Sequence, residues 1–448
     1  MQSTQAIANV GTTPAALIGA FFAARIAITL ICARWLGLDP QIGAVMQILL
    51  GVLLFTLLCF HSLGASTLSL RTLLRLAAVR WVLAFLCFSL LSFAWTGAVS
   101  LMSSFAYWFA MAVDVTTMLL LLRSANVIAQ AQALLRGYMY ASCALAFLAW
   151  IMPVQEDLRL GDADYFNTNQ IGNLCAFAFF FAQYLERSGR GRKTLLKVFL
   201  LLTLLRSLSK TTLAAMLVGQ GVLFLRDDSI SRTRKVWTIL GVLLAGTLFW
   251  GLFVAYFTIY TTTGNQAETL TGRTAIWAYA LEAALRKPWF GNGFDALWHV
   301  MPPLGPDRFE ARHAENEVLQ QFFAYGAVGI LLLTGLYGSF FRQVRRIRER
   351  SCRLVLLSLL LYVVVRGLAE AEPFDLLLPL WSILLFSVLS ASESFMPPLV
   401  KISTPEAPCM RMVKARSRPC TFLSALEREC KCLGNVIFLP SSSPNCRS

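Results

Sequence analysis

Charge is scarce in this chain: of its 448 residues only 14% are charged, and 24 acidic residues stand against 39 basic ones. With 57% hydrophobic residues and a mean hydropathy of +0.63, it holds far more apolar surface than a soluble core of this size can bury. A soluble globular enzyme is thereby excluded. Histidine is scarcer still, at three residues, and the sequence shows no carboxylate-rich cluster of the kind that holds a divalent cation. A nucleotide-phosphate loop is also missing, since "GNGF" (Gly291 to Phe294) has neither the further glycines nor the Lys-Ser or Lys-Thr it would need, and reads as a turn. Two related halves with interrupted helices, the mark of many transporters, are absent. No basic region precedes the first apolar run and no small-residue cleavage site follows it, so that run is expected to stay as an anchor.

What is present is a series of apolar runs near the roughly 20 residues that cross a bilayer. About twelve meet that criterion, namely Pro14 to Arg34, Gln41 to Phe60, Trp81 to Trp95, Phe105 to Leu122, Gly137 to Ile151, Phe166 to Leu185, Thr194 to Arg206, Thr211 to Leu225, Val236 to Tyr260, Asn316 to Phe341, Leu354 to Arg366 and Phe374 to Leu389. The expected fold is therefore an all-α polytopic integral membrane protein, with residues 1–400 forming the membrane domain.

Lys and Arg set the orientation. Arg187, Arg190, Arg192 and Lys193 share one loop, Arg226, Arg232, Arg234 and Lys235 a second, and Arg342, Arg345, Arg346, Arg348, Arg350 and Arg353 a third. Even numbers of spans separate these loops, which puts all three and both termini in the cytoplasm. The net charge of +15 then belongs mostly to loops facing anionic headgroups, and no nucleic-acid partner is called for. The long loop 261–315 falls on the opposite, outer side. Its five basic residues are offset by six acidic ones, as suits a segment outside the cytoplasm. A second polar outer loop runs from Pro153 to Gln170.

The last segment, 401–448, is basic, rich in Ser and Pro, and holds Cys409, Cys420, Cys430, Cys432 and Cys446. Their spacing matches no zinc pattern, and the segment reads as a disordered cytoplasmic tail.

Polar groups at membrane depth are costly and so informative. "LLRSLSKTTLAA" (Leu204 to Ala215) is the sharpest case, because the thirteen residues from Thr194 to Arg206 make a helix of only about 20 Å. Arg206 and Lys210 then either line a cavity at a short hairpin's turn, with Ser207, Ser209, Thr211 and Thr212 beside them, or snorkel to the headgroups. Arg25 serves a site or a neighbouring carboxylate. Arg366, followed by Glu370, Glu372 and Asp375, reads as an ion-pair partner.

"TLTGRTAIWAYALEAALRKPWFGNGF" (Thr269 to Phe294) predicts an amphipathic helix capped by Thr271 and ended before Pro288. Ile276, Ala280, Ala283 and Ala284 fall on one side, so the helix can lie on the outer membrane surface, with Trp277, Trp289 and Phe290 at the interface. Arg273 stands in its first turn, where free N–H groups already favour an anion, and is either a bidentate phosphate ligand or a solvated surface residue. Downstream, His313, Glu315, Asn316 and Glu317 crowd the outer mouth of the tenth span. His313 is there a candidate acid/base group beside anion ligands.

Taken in order, "SLSKTTLAA", "TGRTAIWAYALEAALRKPWFGNGF" and "HAENEVLQQFFAYGAVGI" resemble the O-antigen ligase and polymerase superfamily, most closely its exopolysaccharide polymerase branch, over residues 166–389. The resemblance implies a bacterial inner-membrane glycosyltransferase that needs no metal or other cofactor. Its substrate would be a glycan on undecaprenyl diphosphate at the periplasmic face. Membrane lipids and other polysaccharide synthesis and export proteins would be its partners. Arg273 of "GRTAIW" would bind the diphosphate, Arg206 and Lys210 of "SLSKT" would assist, and Asn316, Trp277 and Arg366 would support the site. An O-antigen ligase that transfers glycan to lipid A core is the alternative within the family, and a transporter or lipid-linked glycan flippase is the alternative outside it.

One departure stands out. Family members often carry His-x-His-Asn where this chain reads His313, Ala314, Glu315, Asn316. Either Glu315 serves as the base, or His313 takes the role by a small shift, or activity is altered. The first two are expected, with direct displacement at an anomeric carbon, inversion there, and stabilisation of the departing phosphate by the basic residues.

Overall fold

The computed structural model describes residues 12–62, 69–124, 126–153, 159–162, 164–189, 191–251, 254–255, 258, 270–303 and 310–395. The tail 401–448 and the first part of the long loop, 261–269, lie outside the described residues.

The described chain is helical. α1 (Thr13–Leu30) runs on through a π turn to Trp35, and is followed by α2 (Pro40–Ser62), α3 (Leu70–Leu74), α4 (Ala77–Leu91), α5 (Leu101–Leu121), α6 (Val127–Ile151), α7 (Thr168–Arg187), α8 (Thr194–Ser207), α9 (Lys210–Arg226), α10 (Arg232–Leu248), α11 (Leu270–Arg286), α12 (Leu297–Val300), α13 (Glu317–Val344), α14 (Arg350–Arg366) and α15 (Leu380–Phe395). Among the described residues, six helices are long and apolar enough to cross a membrane: α1, α2, α4, α5, α6 and α13. The other expected spans are also helical, but α8, α9, α10, α14 and α15 have only 14, 17, 17, 17 and 16 residues. At 1.5 Å per residue they reach about 21–26 Å, short of the hydrocarbon thickness of about 30 Å.

Packing explains which apolar runs are core and which face lipid. α1 and α6 pack closely enough that a Cβ at Gly19 would lie 2.0 Å from the carbonyl oxygen of Leu134, and one at Gly137 1.9 Å from that of Ala16. Small residues let the two backbones touch, as is usual for helices that associate without a hydrophobic driving force. Arg25 on α1 meets Asp114 on α5 at 2.5 Å, so its partner is the neighbouring carboxylate. By contrast α10 has no buried residue, and Val236, Trp237, Leu240, Val242, Leu243 and Leu244 are all exposed.

Loop contacts sort the connections onto two faces. On one, Arg34 at the end of α1 meets Asp162 and Asp164 of the α6–α7 connection, Gly97 donates to the carbonyl of Asn292, and Asn316 reaches the carbonyl of Leu368. On the other, Arg187 pairs with Asp227 at 2.5 Å and Arg350 with Asp228. The second face is the one that carries the basic loops.

α13 is not a continuous helix. Gly326 has φ 63° and ψ −149°, a conformation open essentially to glycine. The loop after α11 fills the break. Asn292 and Gly293 donate to the carbonyls of Phe323 and Ala324 (2.9 and 2.8 Å), and Ala327 donates to that of Pro288 (2.7 Å). "PWFGNG" therefore replaces the hydrogen bonds that the interruption frees, which non-helical backbone at this depth requires. The same loop is held from the other side, where Thr96 donates to the carbonyl of Phe294 (2.5 Å) and Ser92 accepts from its N–H (3.1 Å). Thus α11, the N-terminal end of α13 and the α4–α5 connection form one block.

Candidate active site

α11 presents Arg273 from its first turn. Leu270 is already helical, so Thr271 lies inside the helix and is not its cap. The apolar side behaves differently from the sequence expectation. Ile276, Ala280, Ala283 and Ala284 are buried against Ala296, Leu297, Met301, Ala311, Ala314 and Phe323, so they face protein where the membrane surface was expected. The alanines permit this close approach. The residues left for lipid are Leu281, Leu285, Trp289 and Phe290, all exposed.

Docked in this way, α11 aims Arg273 at two carboxylates. Its Nη2 lies 3.0 Å from Glu370 Oε1 and 3.4 Å from Glu315 Oε2, with side chains exposed by only 12%, 5% and 19% respectively. Glu370 is the centre of the arrangement. Its Oε1 also accepts from the Thr211 hydroxyl at 3.0 Å, and its Oε2 stands 3.8 Å from Arg366 Nη2, four positions earlier at the end of α14. The Arg366 ion pair expected from "RGLAEAE" is present, and it extends to α11 and to the α8–α9 turn.

Glu315 sits at φ 50°, in the left-handed region that a side chain adopts at a cost. Three contacts hold that segment. Trp277 donates its indole N–H to the carbonyl of Glu315 (3.2 Å), so this tryptophan is half-buried and supports the site from beneath. Asn316 caps α13 through Leu319 N–H (2.9 Å) and donates to the carbonyl of Leu368 (2.9 Å). Glu317, 3% exposed, accepts from Tyr337 (2.7 Å) and from Leu377 N–H (2.8 Å). His313 completes the group, with Nδ1 3.6 Å from Glu315 Oε1.

The α8–α9 turn differs in part from its expected role. Leu208 is left-handed at φ 57°, and Ser207, Ser209 and Thr212 are buried. Ser209 bonds to Asn169 of α7 and to Thr212 (2.7 and 2.8 Å), so Ser209 pins the turn to α7. Arg206 at the end of α8 is half-buried and Lys210 at the start of α9 is exposed. Thr211, next to Lys210, is the member of the turn that reaches Glu370.

Donor capacity remains in the cluster. The Nε of Arg273 and the Nε and Nη1 of Arg366 are buried and make no hydrogen bond, as is true of His313 Nδ1. Buried guanidinium donors left without an acceptor are costly, and groups of this kind sit where a ligand completes them. Arg273 thus uses Nη2 for both carboxylates, while its buried Nε makes no hydrogen bond. Nearby, burial raises the Asp295 carboxyl above its usual range against the lowering effects of the Ser104 hydroxyl and Arg312. Among the described residues no group of three or more His, Cys, Asp or Glu side chains is placed to hold a metal ion.

Two residues carry more of this site than the sequence conveys. Glu370 was legible only as a partner for Arg366 at i+4, and its contact with Arg273 spans 97 positions. Thr211 was legible as one of four hydroxyls without a reason to single it out.

A helical membrane protein with arginines, a carboxylate and a histidine gathered at one face is the class that the fold and site define. Residues 195–334 match the Wzy_C family model, described as O-antigen ligase, and this match supports a likeness to the superfamily of O-antigen ligases and polymerases. The match supports a glycosyltransferase function of that type. It includes Arg206, Lys210, Arg273, Trp277, His313, Glu315 and Asn316, and it ends before Arg366 and Glu370. No curated protein matches the chain. A chain of a solved peptidoglycan synthase complex, described by its structural coordination of polymerization and crosslinking, is similar over 71% of this chain and 96% of its own, with 15% identity and a TM-score of 0.41.

Proposed function

We propose that this protein lengthens a glycan carried on undecaprenyl diphosphate at the periplasmic face of the bacterial inner membrane, in exopolysaccharide synthesis. The supporting observation is the convergence of Arg273, Arg366 and the α8–α9 turn on Glu370, beside Glu315 and His313. A displacement of diphosphate needs both halves of that arrangement. The acceptor hydroxyl attacks the anomeric carbon, the new glycosidic C–O bond forms as the bond to the diphosphate oxygen breaks, and the configuration inverts. Glu315 or His313 takes the hydroxyl proton. The lipid diphosphate leaves with its electron pair, and the free guanidinium donors of Arg273 and Arg366, with Arg206 and Lys210 near the turn, stabilise the charge it gains. The sugar–diphosphate bond is itself the activated one, so neither nucleotide nor metal takes part.

In the same reading all twelve apolar helices lie in the membrane, the shorter ones where the protein thins the bilayer or shields their ends, and the face that carries the site is periplasmic. Purified protein given a lipid diphosphate-linked repeat unit, without nucleotide and with chelator present, tests the whole reading. Longer glycan is the expected product. Movement of the lipid across liposomes without lengthening would assign a transporter, and transfer only to lipid A core would assign a ligase.

A further inference from the structure

A second site lies at the other end of α13. Between the start of α4 and the last turns of α13 is a cavity of about 540 Å³. Its rim carries Arg75, Arg80, Arg342 and Arg346, no acidic residue lines it, and all four arginines are exposed. Among the described residues, none of their side chains makes an ion pair or hydrogen bond. Four like charges around one groove repel one another and are stabilised by an anion placed among them.

The floor of this groove is apolar and built by glycine. A Cβ at Gly335 would strike the Trp81 ring at 2.5 Å, so the indole lies flat on the α13 backbone there. One turn on, a Cβ at Gly338 would meet nothing within 4 Å. The groove is therefore open beside Gly338, and it is wide enough for an alkyl chain. Gln343 lines the same cavity. It is 8% exposed and its Oε1 is buried without a hydrogen-bond partner. That acceptor calls for a donor from outside the chain.

We propose that this groove binds an anionic phospholipid with a hydroxylated headgroup, of the phosphatidylglycerol class. The phosphodiester sits among the four guanidinium groups, a headgroup hydroxyl donates to Gln343 Oε1, and an acyl chain lies over Gly338 against Trp81. Charge, hydrogen bonding and shape each require a different part of that molecule. Zwitterionic lipid lacks the net charge, and a free phosphate lacks the chain. Basic pockets between helices at a membrane surface hold acidic headgroups by the same forces.

Native mass spectrometry of the full chain in detergent, titrated with phosphatidylglycerol, phosphatidylcholine, glycerophosphoglycerol or inorganic phosphate, tests this. Phosphatidylglycerol should be retained and should raise the melting temperature, and the other three should do neither. Arg80→Gln with Arg342→Gln should weaken retention about 30-fold. Gly338→Leu keeps the charge, suits a helix better than glycine, and should abolish retention by filling the groove, with melting in lipid-free detergent unchanged. Gln343→Leu should remove the preference for phosphatidylglycerol over phosphatidic acid. Equal retention of phosphatidylcholine, equal stabilisation by free phosphate, or undiminished retention in Gly338→Leu would each overturn the proposal.

Discussion

Replacing Arg273 by lysine separates two things that one side chain does. Both resting ion pairs of Arg273 are made through a single nitrogen, Nη2, at 3.0 Å to Glu370 and 3.4 Å to Glu315. A lysine ammonium can reproduce that one-nitrogen contact, so Arg273→Lys should keep the folded state within about 1 kcal/mol of wild type. Arg273→Ala removes a guanidinium from Glu315 and one of the two beside Glu370, both largely buried, and should cost about 3–5 kcal/mol. Activity should divide the variants differently. If the unpartnered Nε side of the fork grips the diphosphate, lysine cannot supply the second, parallel hydrogen bond. Losing one charge-assisted bond, at about 1.5–3 kcal/mol, lowers turnover roughly 10- to 150-fold. The assay is polymer formed from a lipid-linked repeat unit, run beside thermal melting in the same detergent. Arg273→Lys with wild-type turnover would refute the forked grip, and Arg273→Lys melting as low as Arg273→Ala would refute the one-nitrogen account of the resting pairs.

Glu315→Gln keeps shape but takes no proton, and should abolish turnover with donor binding intact; full activity there, with loss in His313→Ala, transfers the role to His313, and full activity in both removes base catalysis from this motif. Gly326→Ala would force a Cβ to 2.4 Å from the Trp289 carbonyl carbon at φ 63°, and should cost roughly 2–6 kcal/mol and free the loop 288–293 to proteolysis; wild-type melting would contradict the interlock. Burial pushes Asp162 up, yet the Arg34 hydrogen bond and the N–H groups of Tyr165 and Asp164 outweigh it and hold the carboxyl below its usual range. A depressed carboxyl contributes stability above its unfolded pKa, so the melting difference between wild type and Arg34→Ala should be constant above about pH 5 and shrink as pH falls below about 4; a difference that grows on acidification would refute that pairing.

The sequence exposed those parts of the fold that depend on neighbours along the chain. Apolar runs located most helices to within a few residues, because a helix buries or exposes its own face, but α6 begins at Val127, ten positions before the expected Gly137, and α15 lies six positions later than expected. Arg366 announced a carboxylate partner because Glu370, Glu372 and Asp375 follow it closely along the chain. The small-residue side of α11 was visible for the same reason. Contacts set by tertiary packing were not visible. The alanine side of α11 has the same pattern whether it meets lipid or protein, and only the docking of Pro288 to Gly293 into α13 decides between them. The break at Gly326 carries no local mark, since glycine is common in membrane helices. Glu315's left-handed backbone, and the joining of Thr211 and Arg273 through Glu370, likewise depend on segments far apart in the chain.

That joining has a consequence for when the protein can act. Glu370 is supplied by the stretch after α14, 97 positions after Arg273, so every earlier part of the site waits for it during synthesis. A nascent chain already holding Arg273, Glu315 and His313 in the bilayer still lacks the carboxylate that orients Arg273 and ties it to the α8–α9 turn. Domains form as the chain emerges, N-terminal parts first, and here the unit that completes the cluster is nearly the last to be inserted. The order of insertion thus leaves this cluster incomplete in half-built chains. A chain stopped after Arg353 should accordingly reach the membrane and remain inert.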